Sequence, residues 1–254
     1  MLKSERSKEI LQQLLRDGEV TVSELAKHLK TGPTTVRRTL VGLERAGLLR
    51  RTHGGAIQVE PMIYEPFRYL PSFVGKEQFH AAEKRRIGFA AAEIVKDGET
   101  IALGAGTTTT QVGRSLRHRK RITVVTNALN IALELSHQAN LKIIVTGGSM
   151  SSDSFALTGS VGIAAVGDMF YDKAFIGVDG IHPDRGLTTN YPDQAPVHRA
   201  MIRQAHQRIV VADYSKIGNI GAELIAPVNN LDLIITDESA SHNLSEFCAN
   251  VLRV

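Results

Sequence analysis

The sequence has a single cysteine, Cys248, among 254 residues. One cysteine makes no intramolecular disulfide and builds no cysteine zinc site. No run of eighteen apolar residues occurs, so no segment reads as membrane-spanning. The opening Met-Leu-Lys-Ser-Glu-Arg-Ser-Lys-Glu is charged and lacks the apolar centre of a signal peptide. A cytoplasmic protein with no membrane partner is therefore expected. Nine histidines are scattered, with neither His-Glu-x-x-His nor His-x-His among them. That leaves no metal site and no cofactor to expect. Gly-x-Ser-x-Gly is also missing, and Cys248 reads as packing rather than as a nucleophile.

What is present is ordinary for a globular chain: 43% hydrophobic and 22% charged residues. Length/150 is about 1.7, which suits one large domain or two smaller ones. Charge divides unevenly. Residues 1–56 hold eleven Lys and Arg against six Asp and Glu, a net of +5. The other 198 hold nineteen against twenty, a net of −1. A basic first fifth points to an anionic partner, with nucleic acid the first candidate. Charge alone is equally compatible with a solvated basic surface.

That fifth reads as a winged helix-turn-helix domain over 1–57. Ile10, Leu11, Leu14 and Leu15 repeat at helical spacing, and Asp17-Gly18 stops the run. Thr21-Val-Ser-Glu24 is a capping box that opens a second helix burying Val22, Leu25, Ala26 and Leu29. Lys30-Thr31-Gly32 makes a short turn. Pro33 suits the first position of a third helix, which buries Val36, Leu40 and Leu43 and ends at Ala46-Gly47. Two helices joined by so short a turn match the helix-turn-helix unit. Thr34, Thr35, Arg37 and Arg38 lie off the apolar stripe, where a recognition helix meets base edges and phosphates. Leu48 to Ile57 reads as two short strands around a glycine turn. Arg50, Arg51 and His53 would stand on this wing and meet phosphates or the minor groove. Any one of these arginines alone is as well explained by solvation. In order, the ensemble points to double-stranded DNA.

Residues 58–75 carry Pro61, Pro66 and Pro71 and read as a linker. An Ala-rich amphipathic helix is expected over 76–96, with Phe79, Ile87, Ala90, Ala91 and Ile94 on its stripe. Lys84-Arg85-Arg86 within it reads as a solvated face or a helix-end contact.

From 76 to 254 short apolar runs alternate with helical patterns. Strands are expected at 100–103, 122–126, 141–145, 174–178, 209–212 and 231–236. Helices are expected near 108–118, 128–138, 160–169, 193–206 and 242–252. Alternation of this kind gives a mostly parallel sheet covered on both faces. Ligands of such sheets bind beyond the carboxyl ends of the strands, so the tips carry the chemistry. Gly104-Ala-Gly-Thr-Thr-Thr-Thr110 follows the first strand. Its glycines and the next helix N-terminus suit a phosphate. It lacks the lysine of a P-loop and the third glycine of a dinucleotide fingerprint. A tight turn with threonine caps explains it equally well. Asn127, Asp179 and Lys216 stand at later tips: Asn127 can cap a helix or meet a sugar hydroxyl, Asp179 can accept from a polyol, and Lys216 can pair with a phosphate or with Asp213. Asp153, Ser154 and Ser160 suit either a loop over the site or a plain polar connection. Taken together, the tips suit a small anionic polyol such as a phosphorylated sugar.

Residues 1–57 resemble the DNA-binding domain of the DeoR family of bacterial transcriptional regulators. The resemblance rests on Arg6, Ile10 and Leu14, on Thr35-Val36-Arg37-Arg38, and on Arg51-Thr-His-Gly-Gly-Ala56. It continues through Gly106-Thr107-Thr108-Thr109, Thr126-Asn127, Gly147-Gly148, Gly177-Val-Asp179-Gly180, Gly186-Leu-Thr-Thr189 and Asp213-Tyr-Ser-Lys216-Ile-Gly218. The sequence departs at Gly32, at Thr39 (where an acidic residue is usual), at Gly104 (likewise) and at Gln194 (where glutamate is common). What the resemblance implies is an α/β effector domain of the ribose-5-phosphate isomerase and CoA-transferase type. Gly106, Thr107, Thr108 and Thr109 would hold phosphate, and Asn127, Asp179 and Lys216 would shape the sugar site.

The expected function is a repressor of carbohydrate-metabolism genes whose operator affinity a phosphorylated sugar modulates, acting as a homo-oligomer, dimer or tetramer. The alternative is a sugar-phosphate isomerase with an accessory DNA-binding head. Isomerisation needs a general base and a group to stabilise an enediolate. Asp179 is followed by no Lys-Gly-Gly, Gln194 is no base, and only Asp193 survives nearby as a carboxylate. No catalytic residue is therefore expected. A third reading, an inert oligomerisation domain, leaves the polar tips without a purpose.

Overall fold

A computed structural model of the chain describes residues 3–45, 48–58, 71–116, 119–151, 153–240, 244, 247–248 and 250–254. Ala46-Gly47, Pro61 and Pro66 lie outside the described residues. The chain divides into two compact units between residues 65 and 66.

In the first unit, helix α1 (Lys3–Asp17) ends at Gly18, whose φ of 80° lets its amide return to the Leu14 carbonyl at 2.8 Å. Strand β1 (Glu19–Thr21) leads into α2 (Val22–His28). The capping box forms: the Glu24 amide donates to Thr21 Oγ1 at 3.2 Å, and the Thr21 amide donates to Glu24 Oε2 at 3.3 Å. Lys30, at a φ of 48°, turns the chain into α3 (Pro33–Arg45). Strands β2 (Arg50–Arg51) and β3 (Gly55–Ile57) form the wing. β1 adds a third, antiparallel strand beside β3. Three residues are too few to show a period of two, so this strand was not visible in the pattern. Gly55 is required there, because a β-carbon would lie 1.8 Å from the Val20 carbonyl oxygen. Ile10, Leu14, Leu25, Val36, Leu40 and Leu49 form the core between the helices and the wing.

The second unit opens with α4 (Pro71–Gln78) and α5 (Ala81–Glu93). The single helix expected over 76–96 is thus two helices. His80, at a φ of 54°, breaks it, so Phe79 falls between the two helices and is exposed rather than on the buried stripe, and α4 begins inside the stretch assigned to the spacer. Phe73 of α4 is buried edge-on against Phe155, with ring centroids 4.9 Å apart.

Then come β4 (Thr100–Leu103), α6 (Thr107–Ser115), β5 (Ile122–Thr126), α7 (Leu129–Leu135) and β6 (Leu141–Val145). A small hairpin, β7 (Ser149–Met150) and β8 (Leu157–Thr158), precedes α8 (Ser160–Gly167) and β9 (Tyr171–Ile176). Next are β10 (Gly180–His182), β11 (Gly186–Thr189), α9 (Ala195–Arg203) and β12 (Ala205–Val211). Strands β13 (Glu223–Ala226), β14 (Leu233–Thr236) and β15 (Val251–Arg253) complete the unit.

Seven strands form one sheet in the order β15-β14-β12-β9-β4-β5-β6, with every neighbouring pair parallel. Both faces are covered, as all-parallel sheets require. Ile87, Leu103, Val112, Ile131 and Phe175 pack under α5, α6 and α7. Val166, Val197, Met201, Val210 and Ile234 pack under α8 and α9. An antiparallel sheet, β10-β11-β13, joins this second layer. The helix expected over 242–252 is corrected at its end, where Val251–Arg253 is a strand paired with β14. A two-residue apolar run fits either period, and sheet pairing decides it.

The chain leaves β4 toward β5 and β6 on one side, and continues from β9 toward β12, β14 and β15 on the other. The order therefore reverses between β4 and β9, and a crevice opens beyond the carboxyl ends of that pair.

Candidate functional site

On the first unit, α3 presents its polar face outward. Thr34, Arg37 and Arg38 are exposed and Thr35 is half-buried. Arg37 and Arg38 have no side-chain partner among the described residues, so both guanidinia are available to bases or phosphates. Thr39 turns inward, and its hydroxyl donates to the Thr35 carbonyl at 3.0 Å. Arg50 and His53 are exposed on the wing. Arg51 differs: its Nε donates to Glu44 Oε2 at 2.7 Å, and its amide donates to Glu44 Oε1 at 2.9 Å. These bonds tie β2 to the end of α3, so Arg51 positions the wing as well as facing solvent.

On the second unit, a cleft of about 310 Å³ opens at the switch point, within the range of small-ligand sites. The loop after β4 supplies Ala105, Gly106, Thr107 and Thr108, and the loop after β9 supplies Gly177, Val178 and Asp179. The two loops approach closely: a β-carbon on Gly106 would come 3.9 Å from the Gly177 α-carbon and 3.2 Å from Thr109 Oγ1. Gly106, at a φ of 155°, N-caps α6 without any side-chain cap. The first amides of α6 thus have no partner within their helix and face the cleft with the positive end of the dipole.

The four threonines divide. Thr107 and Thr108 line the cleft. Thr109 and Thr110 do not, because their hydroxyls donate to the Gly106 carbonyl at 2.9 and 2.7 Å. Asn127 is also turned away from the cleft. Its Oδ1 accepts from the Ala105 amide at 2.9 Å and its Nδ2 donates to the Leu157 carbonyl at 3.2 Å. It is fully buried, and it fixes the loop rather than meeting what the loop holds. β5 lies one strand removed from the crevice, which is why its tip serves the loop.

Three lysines surround the cleft. Lys216 ends a 3-10 turn that Asp213 caps by accepting from the Ser215 amide at 3.1 Å. Asp213 does not pair with Lys216. Its Oδ2 lies 4.0 Å from Nζ of Lys84. Lys84 corrects the expectation of a solvated charge run: it is 3% exposed. Its ammonium donates to the carbonyls of Lys76 and Phe79, the latter at 2.6 Å, and so holds the end of α4. Burial draws the Lys84 pKa down, against the opposing pull of Asp213. Lys76 donates to Tyr191 Oη at 2.9 Å and stands 3.6 Å from Asp179 Oδ1. Burial lowers its pKa, but the Tyr191 bond and the Asp179 charge outweigh this and the net shift is upward.

Asp179 is the main carboxylate at the strand tips. Its Oδ2 accepts from the Asn190 amide at 2.8 Å and from Thr189 Oγ1 at 3.1 Å. Gln194 lines the cleft and donates to Ser154 Oγ at 2.9 Å. Asp153 also lines it, whereas Asp193 and Ser160 do not. His198 lines the cleft as well. Gly104 makes room for it, since a β-carbon at 104 would lie 2.9 Å from His198 Nε2. Among the described residues no cluster of three His, Cys, Asp or Glu is placed to hold a metal, and no helix is long and apolar enough to cross a membrane.

Sequence reasoning missed Phe73, Lys76, Lys84, Tyr191 and His198. Lys84 and His198 left a signal. Lys84 shares a helical stripe with Ile87 and Ala91, and His198 shares one with Met201 and Ile202. A polar residue on such a stripe is buried and needs a partner or a function.

A family model described as the DeoR-like helix-turn-helix domain matches residues 6–61. Another, described as the DeoR C terminal sensor domain, matches residues 79–238. The transcriptional repressor GlcR of Bacillus subtilis is 35% identical over 237 residues, covering 93% of this chain and 89% of its own. The transcriptional repressor AccR of Agrobacterium fabrum is 32% identical over 243 residues, covering 95% and 92%. Among solved structures, ribose 5-phosphate isomerase A of Methanocaldococcus jannaschii is similar over 53% of each chain, with 18% identity and a TM-score of 0.40. That likeness carries no argument about chemistry.

Proposed function

The chain belongs to the DeoR family of transcriptional regulators, and we propose that it is a repressor of carbohydrate-metabolism genes whose operator affinity is set by a phosphorylated sugar in the cleft. One observation carries this reading. A free helix N-terminus and Lys216, whose ammonium has no partner among the described residues, border a cleft that also holds Asp179. The first set suits a phosphate and the carboxylate suits a hydroxyl.

The exposed Arg37 and Arg38 on α3 would read the operator, with Thr34, Thr35, Arg50, Arg51 and His53 fixing register on phosphates. One head per chain implies a homo-oligomer matched to a repeated operator. α4 is the coupling element of this reading. It walls the cleft with Phe73, Gly75 and Lys76, and only residues 58–70 separate it in the chain from the last strand of the wing. A ligand that changes where α4 rests changes which head spacing is favoured. Differential affinity for two arrangements is what such coupling requires.

The isomerase reading has less support. Gln194 cannot act as a base, and Asp179 is already engaged by Thr189, Asn190 and Lys76. Fluorescence anisotropy on DNA upstream of the gene, with and without sugar phosphates, tests the proposal. Selective binding that one sugar phosphate shifts is expected. Turnover of a sugar phosphate with no selective DNA binding would replace it with the isomerase.

A further inference from the structure

His198 is 1% exposed, yet neither of its ring nitrogens has a hydrogen-bond partner in the protein. Its amide is satisfied by the Gln194 carbonyl at 3.1 Å within α9, so the backbone gives no reason for an imidazole here. Burying an unpaired polar group is unfavourable compared with an apolar residue of similar size. Leucine or methionine would fill the same volume without that penalty. The ring is instead accommodated by an absence, since Gly104 leaves the space that any side chain would take from Nε2. It lines the same cleft as Asp179, Thr108 and Lys216.

Burial also fixes its charge. It pushes the His198 pKa down to about 4, against the opposing charge of Asp179. At neutral pH the ring therefore presents one donor and one acceptor and no charge. That suits an uncharged oxygen and not a phosphate.

We propose that His198 is a specificity-determining residue that hydrogen-bonds a hydroxyl or carbonyl oxygen on the sugar end of the ligand, opposite in character to Lys216 and the free amides that take its phosphate. This deepens the sugar-phosphate reading of the cleft and rests on it. The cleft thereby separates its ligand into an anionic end and a neutral polyol end. Affinity for inorganic phosphate and affinity for a sugar phosphate then depend on different residues.

Calorimetric titration of the full chain with ribose 5-phosphate, glucose 6-phosphate, fructose 6-phosphate, fructose 1-phosphate and inorganic phosphate tests this, together with thermal melting without ligand. For His198→Leu, the tightest-binding sugar phosphate should lose about 10- to 100-fold in affinity. Inorganic phosphate should change by less than about twofold, and the melting temperature should hold or rise, because an unpaired polar group has been removed. His198→Gln, which keeps a donor and an acceptor, should recover part of the loss. Unchanged sugar-phosphate affinity in His198→Leu overturns the assignment, as does an equal loss for inorganic phosphate. A glutamine variant no better than leucine assigns the effect to shape and also overturns it. A wild-type protein that binds no sugar phosphate removes the cleft reading itself, and this inference with it.

Discussion

Nζ of Lys76 stands 3.6 Å from Oδ1 of Asp179, joining α4 to the tip of the strand beside the crevice. The same ammonium donates to Tyr191 and lies 4.5 Å from the centre of its ring. Lys76 is half exposed, so the pair adds little to stability. Its consequence is positional. A sugar hydroxyl taken by Asp179 competes with Lys76, and α4 is the element that must respond. Lys76→Ala should leave operator affinity without ligand within about twofold, while the ligand-induced change, typically about 5- to 150-fold in such systems, shrinks. Anisotropy with and without sugar phosphate separates the two quantities.

The recognition helix yields a second expectation. Arg37→Ala or Arg38→Ala should weaken operator binding by about 1–3 kcal/mol where the side chain reads a base. Arg50→Ala should instead weaken binding uniformly across sequences and reduce the salt slope by about one. Arg51→Ala should act differently from Arg50→Ala, because Arg51 holds the wing to Glu44. A salt titration of each variant distinguishes them.

Lys84 and Asp213 form a buried pair 4.0 Å apart, both essentially unexposed. Removing one partner of such a pair is strongly destabilising, by about 3–5 kcal/mol, since the other charge stays buried. Lys84→Ala also frees the carbonyls at the end of α4. Denaturant unfolding should show the loss. An Asp213→Asn variant that keeps its Ser215 bonds should lose less.

Stability should depend on pH through His198. Its folded pKa, about 4, lies below the 6.5 of a free imidazole. Between these values the unfolded chain binds a proton that the folded chain does not, so stability falls as pH falls through that window. Below about 4 both states are protonated and this contribution levels off. Integrated over the window, the loss is about 3 kcal/mol. Subtracting the His198→Leu stability curve from the wild-type curve isolates it from the carboxylates. A difference that is flat between pH 6.5 and 4 would contradict the burial of a neutral ring.

Much of this fold was legible because its signals are local. The Thr21–Glu24 capping box, Pro33 opening α3, and the apolar runs that became β4, β5 and β6 are each fixed by neighbours a few residues away. The glycine-threonine loop was legible as a phosphate-type turn for the same reason. Long-range pairing hid the rest. β15 exists because β14 offers an edge to Val251. α4 exists as a wall because Phe73 meets Phe155, 82 positions later. Asn127 read as a ligand contact because a polar tip looks alike whether it faces a cleft or a loop amide. The departure at Gly104 made sense only with His198 beside it, since the two are 94 positions apart in the chain and in contact in the fold. Lys84 read as solvated because charge run composition outweighed its place on the Ile87 stripe.

In the proposed mechanism a phosphorylated sugar held at the α6 N-terminus sets operator affinity. Anisotropy of wild type and Thr108→Glu on the same operator, titrated with the responding sugar phosphate, tests it most directly. Thr108 lines the cleft at that N-terminus, so a glutamate there repels phosphate. Equal operator affinity without ligand is expected, with a ligand response in wild type only. A Thr108→Glu protein that responds as wild type does would contradict it.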